Sequence, residues 1–191
     1  MLGLRYPTPP HWVDIVWSDF NRFLQDHAAN ERKVAIGALT LANQHPRRTE
    51  LVRTLIDVAQ EELAHLKRVH ELLLSRVSHL GFDAPDRYMG ALHKAIRSPS
   101  VDQYLLDRLV LFGIVEARGC ERFGLVAESA KEPQLAEFYR ELTRSEARHH
   151  GLYLGLARRY FDASRVAERV DTLLDLEAEI MAEQPLRPTL H

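Results

Sequence analysis

Two Glu-x-x-His segments stand out in this chain: Glu62-Leu-Ala-His65 and Glu146-Ala-Arg-His149. A further glutamate precedes each at nearly the same distance, Glu31 being 31 residues before Glu62 and Glu116 being 30 before Glu146. On helices, a glutamate three residues before a histidine presents a carboxylate and an imidazole to one side. Two such pairs with two extra glutamates make the ligand set of a two-metal carboxylate site in a four-helix bundle. With 16 Glu and 10 His in 191 residues, chance alone supplies about one Glu-x-x-His pair, so the pairs need support from the elements that carry them.

Helical periodicity dominates the sequence. A first long helix is predicted from about Trp17 to Asn43, closed by His45-Pro46, because proline disfavours helix in the residue before it. A second is predicted from about Arg47 to Leu80, stopping at Gly81. Residues 82–100 form a long connection with a short helical stretch near Tyr88–Ile96, and Ser98-Pro99-Ser100 supplies start signals for the next helix. The third helix runs from about Val101 to Ala130, Lys131-Glu132-Pro133 is the turn, and the fourth continues to about Tyr160. Asp162 and Ser164 are cap candidates for a further helix over about 164–183, and the tail PLRPTLH reads as loose. Short turns within each hairpin and a long link between them define an all-α, ferritin-like four-helix bundle with one long crossover and an extra C-terminal helix. Residues 1–191 read as a single domain, its core bundle over about 17–160.

A helix advances about 100° per residue, which places side chains around each axis. Leu51, Leu55, Val58, Leu66, Val69 and Leu73 fall within roughly 40° of Glu62, so that carboxylate sits mid-stripe, with Glu61 toward the edge. Glu146 aligns with Tyr139, Leu142, Tyr153 and Ala157, Glu31 with Phe20, Leu24, Ala35 and Ala38, and Glu116 with Leu105, Leu109, Phe112, Cys120 and Phe123. Glu121 lies about 140° off that last stripe and reads as solvent-facing. Four carboxylates on four apolar stripes need compensation, and metal cations supply it. His65 and His149 are each about 60° from their glutamate on the same side, which suits one imidazole per metal; His150, about 40° away on the other side, stays a competitor to His149.

Mixed carboxylate and imidazole ligands suit iron or manganese better than zinc or calcium. Such a pair of metals can activate dioxygen or peroxide, or oxidise and store iron, and the ligands alone leave an iron-storage protein, a manganese catalase-like peroxidase and a metal-free helical adaptor open. Gly113 and Cys120, close to the face of Glu116, either leave room for oxygen or substrate or serve close helix packing. Nothing marks Cys120 as a lowered-pKa thiol.

Bulk composition is that of a globular chain, 46% hydrophobic and 27% charged, with a net charge of −2. Two bound divalent cations would turn that balance slightly positive, so a polyanion partner is permitted but not indicated. The chain has no run of 18 apolar residues, no signal-peptide pattern at its start and one cysteine, which together suit a cytoplasmic protein without a membrane partner.

Four strings are more specific than the ligand pattern: Asp26-His27-Ala28-Ala29-Asn30-Glu31, Glu61-Glu62-Leu63-Ala64-His65, Glu116-Ala117-Arg118-Gly119-Cys120-Glu121-Arg122-Phe123 and Ser145-Glu146-Ala147-Arg148-His149. They resemble the tRNA 2-methylthio-isopentenyladenosine hydroxylases, the MiaE family, over about residues 8–185. The resemblance implies a non-haem di-iron monooxygenase that hydroxylates the isopentenyl group of the modified adenosine in tRNA, with two iron ions, dioxygen as co-substrate and two electrons from an external donor. Carried over residue by residue, the ligands are Glu31, Glu62, His65, Glu116, Glu146 and His149, with no catalytic residue beyond them. The implied partners are a tRNA substrate and an electron-transfer protein, with the enzyme a monomer or small oligomer. Arg47, Arg48, Arg53, Arg118, Arg122, Arg148, Arg158 and Arg159 are groups of a kind that holds phosphates, but no RNA-binding module singles any of them out.

Overall fold

The computed structural model describes residues 3–77, 79, 81, 85–97 and 99–191. Among the described residues seven helices follow in order: α1 (Trp12–Ser18), α2 (Phe20–Gln44), α3 (Thr49–Leu74), α4 (Arg87–Lys94), α5 (Val101–Ser129), α6 (Pro133–Tyr160) and α7 (Ala163–Glu183). Among the described residues there is no strand, and no helix is long and apolar enough to cross a membrane. The chain forms two compact units. One is Asp14–Pro85 with Arg187–Leu190; the other is Met1–Val13 with Asp86–Leu186 and His191.

In the first unit α2 and α3 pack as a hairpin about the His45-Pro46 turn. The first helix does not run unbroken from Trp17 as the periodicity predicts. Asp19 leaves helical geometry at φ −144°, and its carboxylate accepts the N–H of Arg22 at 3.1 Å, capping a new helix. Trp17 therefore belongs to α1, a short helix that the sequence reading missed. At the other end, α3 stops at Leu74, six residues before the expected end. Ser75 closes it, its N–H bonding Glu71 O and its hydroxyl donating to Leu72 O at 2.7 Å. Leu80, the expected last residue, lies outside the described residues. Gly81 packs closely on α2: a Cβ there would fall 1.9 Å from Gln25 Oε1, so any larger residue would require the Gln25 side chain to move. The tail is not loose at Leu190, which is buried and donates its N–H to Asp26 Oδ2 at 2.7 Å.

In the second unit α5 pairs with α6 along their lengths, with Phe112 against Tyr153 and Phe123 against Tyr139 at ring separations of 5.1 and 5.6 Å. Ser100 caps α5 by accepting Gln103 N–H, and Pro133 opens α6, where its missing donor costs nothing. Ser98, expected to share that start, lies outside the described residues. α7 begins at Ala163 and lies on α5, and α4 lies on α7. α5 is therefore buried nearly all round, including Glu116 on one face and Arg118 about 200° away on the opposite one. His191 stacks on Tyr88 with ring centroids 4.6 Å apart.

Candidate metal centre

All six expected ligands lie on helices, and all six are buried. In the first unit Glu31 of α2 and Glu62 and His65 of α3 offer ligand atoms within 4.8 Å of one another. In the second, Glu116 of α5 and Glu146 and His149 of α6 do the same. Each unit thus holds two carboxylates and one imidazole of the expected set. Each carboxylate sits where the helix-face reading puts it, mid-stripe among Leu55, Val58 and Val69 for Glu62, and among Leu142, Tyr153 and Ala157 for Glu146.

In the first trio His65 Nδ1 lies 3.2 Å from Glu62 Oε2 and 3.5 Å from Glu31 Oε2. Burial pushes the imidazole toward neutrality, but the hydrogen bonds and charge of the two carboxylates outweigh it and lift His65 to about 10. Burial likewise raises Glu31, and the hydrogen bonds from His27 and His65 overcome it, leaving Glu31 at about 2. One proton on His65 thus does part of what a cation would do there. His27 is the residue that sequence reasoning missed: fully buried, it holds Glu31 Oε1 through Nε2 at 2.6 Å. Its signal was in the chain, since positions i and i+4 share a helix face, and an imidazole on a carboxylate fixes a ligand's orientation.

A pH dependence follows for protein stripped of metal by a chelator. Glu31 is lowered, so its share of stability is present above its ordinary value of 4.5 and lost as pH falls through about 2. His65 is raised, so its share is present below 6.5 and lost as pH rises through about 10. The thermal midpoint of the stripped protein is expected to fall steadily between pH 6.5 and 10. His65→Gln should flatten that alkaline limb, and an unchanged limb in His65→Gln would refute the assignment.

The group of candidate ligand atoms in the second unit includes His149 and not its neighbour His150. His150 Nδ1 donates to Gly113 O at 2.7 Å, and burial lowers its pKa. His149 is fully buried, with Nδ1 3.6 Å from Glu146 Oε2. Gly113 also answers to packing rather than to open space, since a Cβ there would meet Leu154 at 3.1 Å. Cys120 donates Sγ–H to Thr143 O at 3.4 Å, and burial raises its pKa, so it is an inert packed thiol.

Two expectations are overturned. Glu121 is only partly exposed: it accepts Thr8 N–H at 2.8 Å and Thr8 Oγ1–H at 2.7 Å and pairs with Arg118. Arg118 and Arg122 are not surface groups for phosphates. Arg118 is fully buried, its Nε 2.8 Å from Glu177 Oε1, and Arg122 lies over the Trp12 ring at 4.7 Å. Burial, then the charge of Arg118, brings Arg122 down to about 10. Arg47, Arg53, Arg148, Arg158 and Arg159 are exposed.

The donor set suits iron or manganese: oxygen from carboxylates, nitrogen from one imidazole in each trio, and no thiolate. Helices that carry such carboxylate–imidazole trios in this order define the ferritin-like class of metalloproteins. The comparisons narrow the class. The family model described as tRNA-(MS[2]IO[6]A)-hydroxylase (MiaE) matches residues 2–191. The tRNA 2-(methylsulfanyl)-N(6)-isopentenyladenosine(37) hydroxylase of Pseudomonas putida is 34% identical over 186 residues, 96% of this chain and 90% of that protein. The protein of the same name from Salmonella typhimurium is 31% identical over 82% of this chain, which spans only 56% of it. Among solved structures, a Synechococcus protein described as having aldehyde deformylating oxygenase activity is 32% identical with a TM-score of 0.94, covering 100% of this chain and 96% of its own. The chain belongs to the MiaE family, and the all-α, ferritin-like fold class expected from the sequence holds.

Proposed function

We propose that this protein hydroxylates the isopentenyl group of 2-methylthio-isopentenyladenosine in tRNA. The observation that carries the reading is the family match across residues 2–191, which includes both ligand trios. In this reading the six ligands Glu31, Glu62, His65, Glu116, Glu146 and His149 hold two iron ions. When bound, the iron pair supplies the oxidising power that an unactivated C–H bond requires of dioxygen. The residues' own tasks are to fix the ions and set their protonation. His27 holds Glu31 in place, and the apolar neighbours Val58, Val69, Leu142 and Tyr153 keep water away from the carboxylates. Overall, R–H, O2, two electrons and two protons give R–OH and water, so an external carrier supplies the electrons.

An iron-storage role and a peroxidase role share the ligand chemistry but not the family match. The test is direct. Purified protein loaded with ferrous iron is given a chemical reductant, oxygen and tRNA bearing the methylthio-isopentenyl nucleoside, and the digested nucleosides are separated by mass. A gain of one oxygen on that nucleoside is expected. Its absence, with oxygen consumed on an aldehyde instead, would move the assignment to the chemistry named for the Synechococcus protein.

A further inference from the structure

Hydroxylation consumes two electrons, and Cys120 is the only cysteine, so this chain has no thiolate set for an iron–sulfur relay of its own. The electrons must enter at some surface, and the α2–α3 hairpin presents a distinctive one. Among the described residues, seven large apolar side chains are exposed, and five of them belong to this hairpin: Ile36, Leu39, Ile56, Leu63 and Leu74. They share one face. Ile36 and Leu39 lie within about 40° of Gln25 around α2, and Ile56 and Leu74 lie within about 20° of Leu63 around α3. A groove of about 400 Å³ joins the two helices along this face, lined by Ala28, Ala29, Leu63 and Leu66 with Arg32 and Lys67 among its polar members. Apolar side chains concentrated on one face, Ile36 at 57% and Leu63 at 49% exposure, mark an interaction site rather than scattered surface.

The charge of the face selects the partner. Arg22, Arg32, Lys67 and His70 stand on it, whereas every carboxylate of α2 and α3 lies more than about 60° from its centre. A second copy of the chain, docked face to face about a twofold axis, would set these cations against one another. RNA would find the cations and the His70 ring, but it would leave the exposed strip of Ile36, Leu39, Ile56, Leu63 and Leu74 uncovered. A small acidic protein finds both the cations and the apolar strip. Location supports the same partner, because Leu63 and Leu66 adjoin the ligands Glu62 and His65, and Arg32 adjoins Glu31.

We propose that the α2–α3 face is the docking site of a small acidic one-electron carrier protein, of the ferredoxin or flavodoxin kind. This rests on the monooxygenase reading above. Two reduced carriers dock in turn, each is oxidised by one electron, and the two electrons with two protons complete the reduction of dioxygen to one inserted oxygen atom and one water. Such encounters need little area, below about 1,200 Å², and two helix faces suffice.

The test measures binding apart from turnover. Iron-loaded protein is titrated calorimetrically with an acidic [2Fe–2S] ferredoxin and with a flavodoxin, at about 20 and about 200 mM salt. At least one carrier is expected to bind, and to bind more than about tenfold more weakly at the higher salt. Lys67→Glu and Leu63→Ser should each weaken binding by about tenfold, and Lys67→Arg should restore it, with iron content and thermal midpoint unchanged in all three. Hydroxylation supported by the reduced carrier should fall with affinity. Hydroxylation driven by hydrogen peroxide, where R–H and H2O2 give R–OH and water without a carrier, should stay within about twofold. Three results would each overturn the proposal: neither carrier binding, Lys67→Glu leaving carrier affinity intact, or Lys67→Glu lowering affinity for tRNA or dissociating a homodimer instead. Loss of hydroxylation of tRNA by both routes, with carrier binding intact, would count against the substrate assignment and not against the docking face.

Discussion

Glu62→Ala and Glu116→Ala are each expected to retain helical content, to bind fewer than two iron ions and to lose more than about 100-fold in hydroxylation. The two residues come from different hairpins, so the pair tests whether each trio is needed. Both carboxylates are buried on apolar stripes, and removing one takes away a charge that the fold keeps dry only if something binds it. Elemental analysis and turnover should fall together. His149→Ala should behave like the glutamate variants, whereas His150→Ala should keep its iron, because the group of candidate ligand atoms includes His149 and not His150. His27→Ala should weaken iron affinity by about 10- to 100-fold without abolishing binding, as loss of an orienting group does. Iron-replete His149→Ala with full turnover would remove that histidine from the set and restore its neighbour as candidate.

The face assignments were legible because a helix repeats every 3.6 residues whatever it packs against. Periodicity placed Glu31, Glu62, Glu116 and Glu146 mid-stripe without any tertiary information. It could not say what lies opposite a residue that is off the stripe. Glu121 and Arg118 read as surface groups because their partners, Thr8 and Glu177, are 113 and 59 residues away. Long-range pairing has no period. The same limit hid the anchoring of Leu190 by Asp26. Helix ends were legible only where backbone chemistry left one outcome, as at Pro46 and Ser100. At Asp19 a cap sits inside a continuous apolar pattern, and at Ser75 a hydroxyl closes the helix before the glycine that seemed to end it.

Glu177→Ala is expected to be the most destabilising single change outside the ligands. Arg118 and Glu177 are both fully buried; Arg118 Nε donates to Oε1 at 2.8 Å and Nη2 to Oε2 at 3.0 Å, a bidentate pair joining α5 to α7. The same guanidinium also donates Nη2–H to Tyr6 O and Nη1–H to Thr8 Oγ1, so it ties residues 6–8 to both helices. Tyr88 of α4 donates its hydroxyl to Glu177 at 3.3 Å. Removing Glu177 leaves the guanidinium with Glu121 alone to balance it and orphans the Tyr88 hydroxyl from this carboxylate, at a cost of about 3–5 kcal/mol. For a chain of this length that lowers the thermal midpoint by roughly 10 °C. Arg118→Met with Glu177→Leu should recover most of the loss, because the charge and its counter-charge leave together and apolar side chains of similar volume fill the space. Amide exchange should quicken first at residues 5–8 and along α7. Arg118 lies two residues beyond the proposed ligand Glu116 on the opposite face of α5, so in iron-loaded protein the single variant should also broaden the metal's spectroscopic signature while the double variant sharpens it again. An unaltered midpoint in Glu177→Ala would mean that Glu121 alone balances the buried arginine.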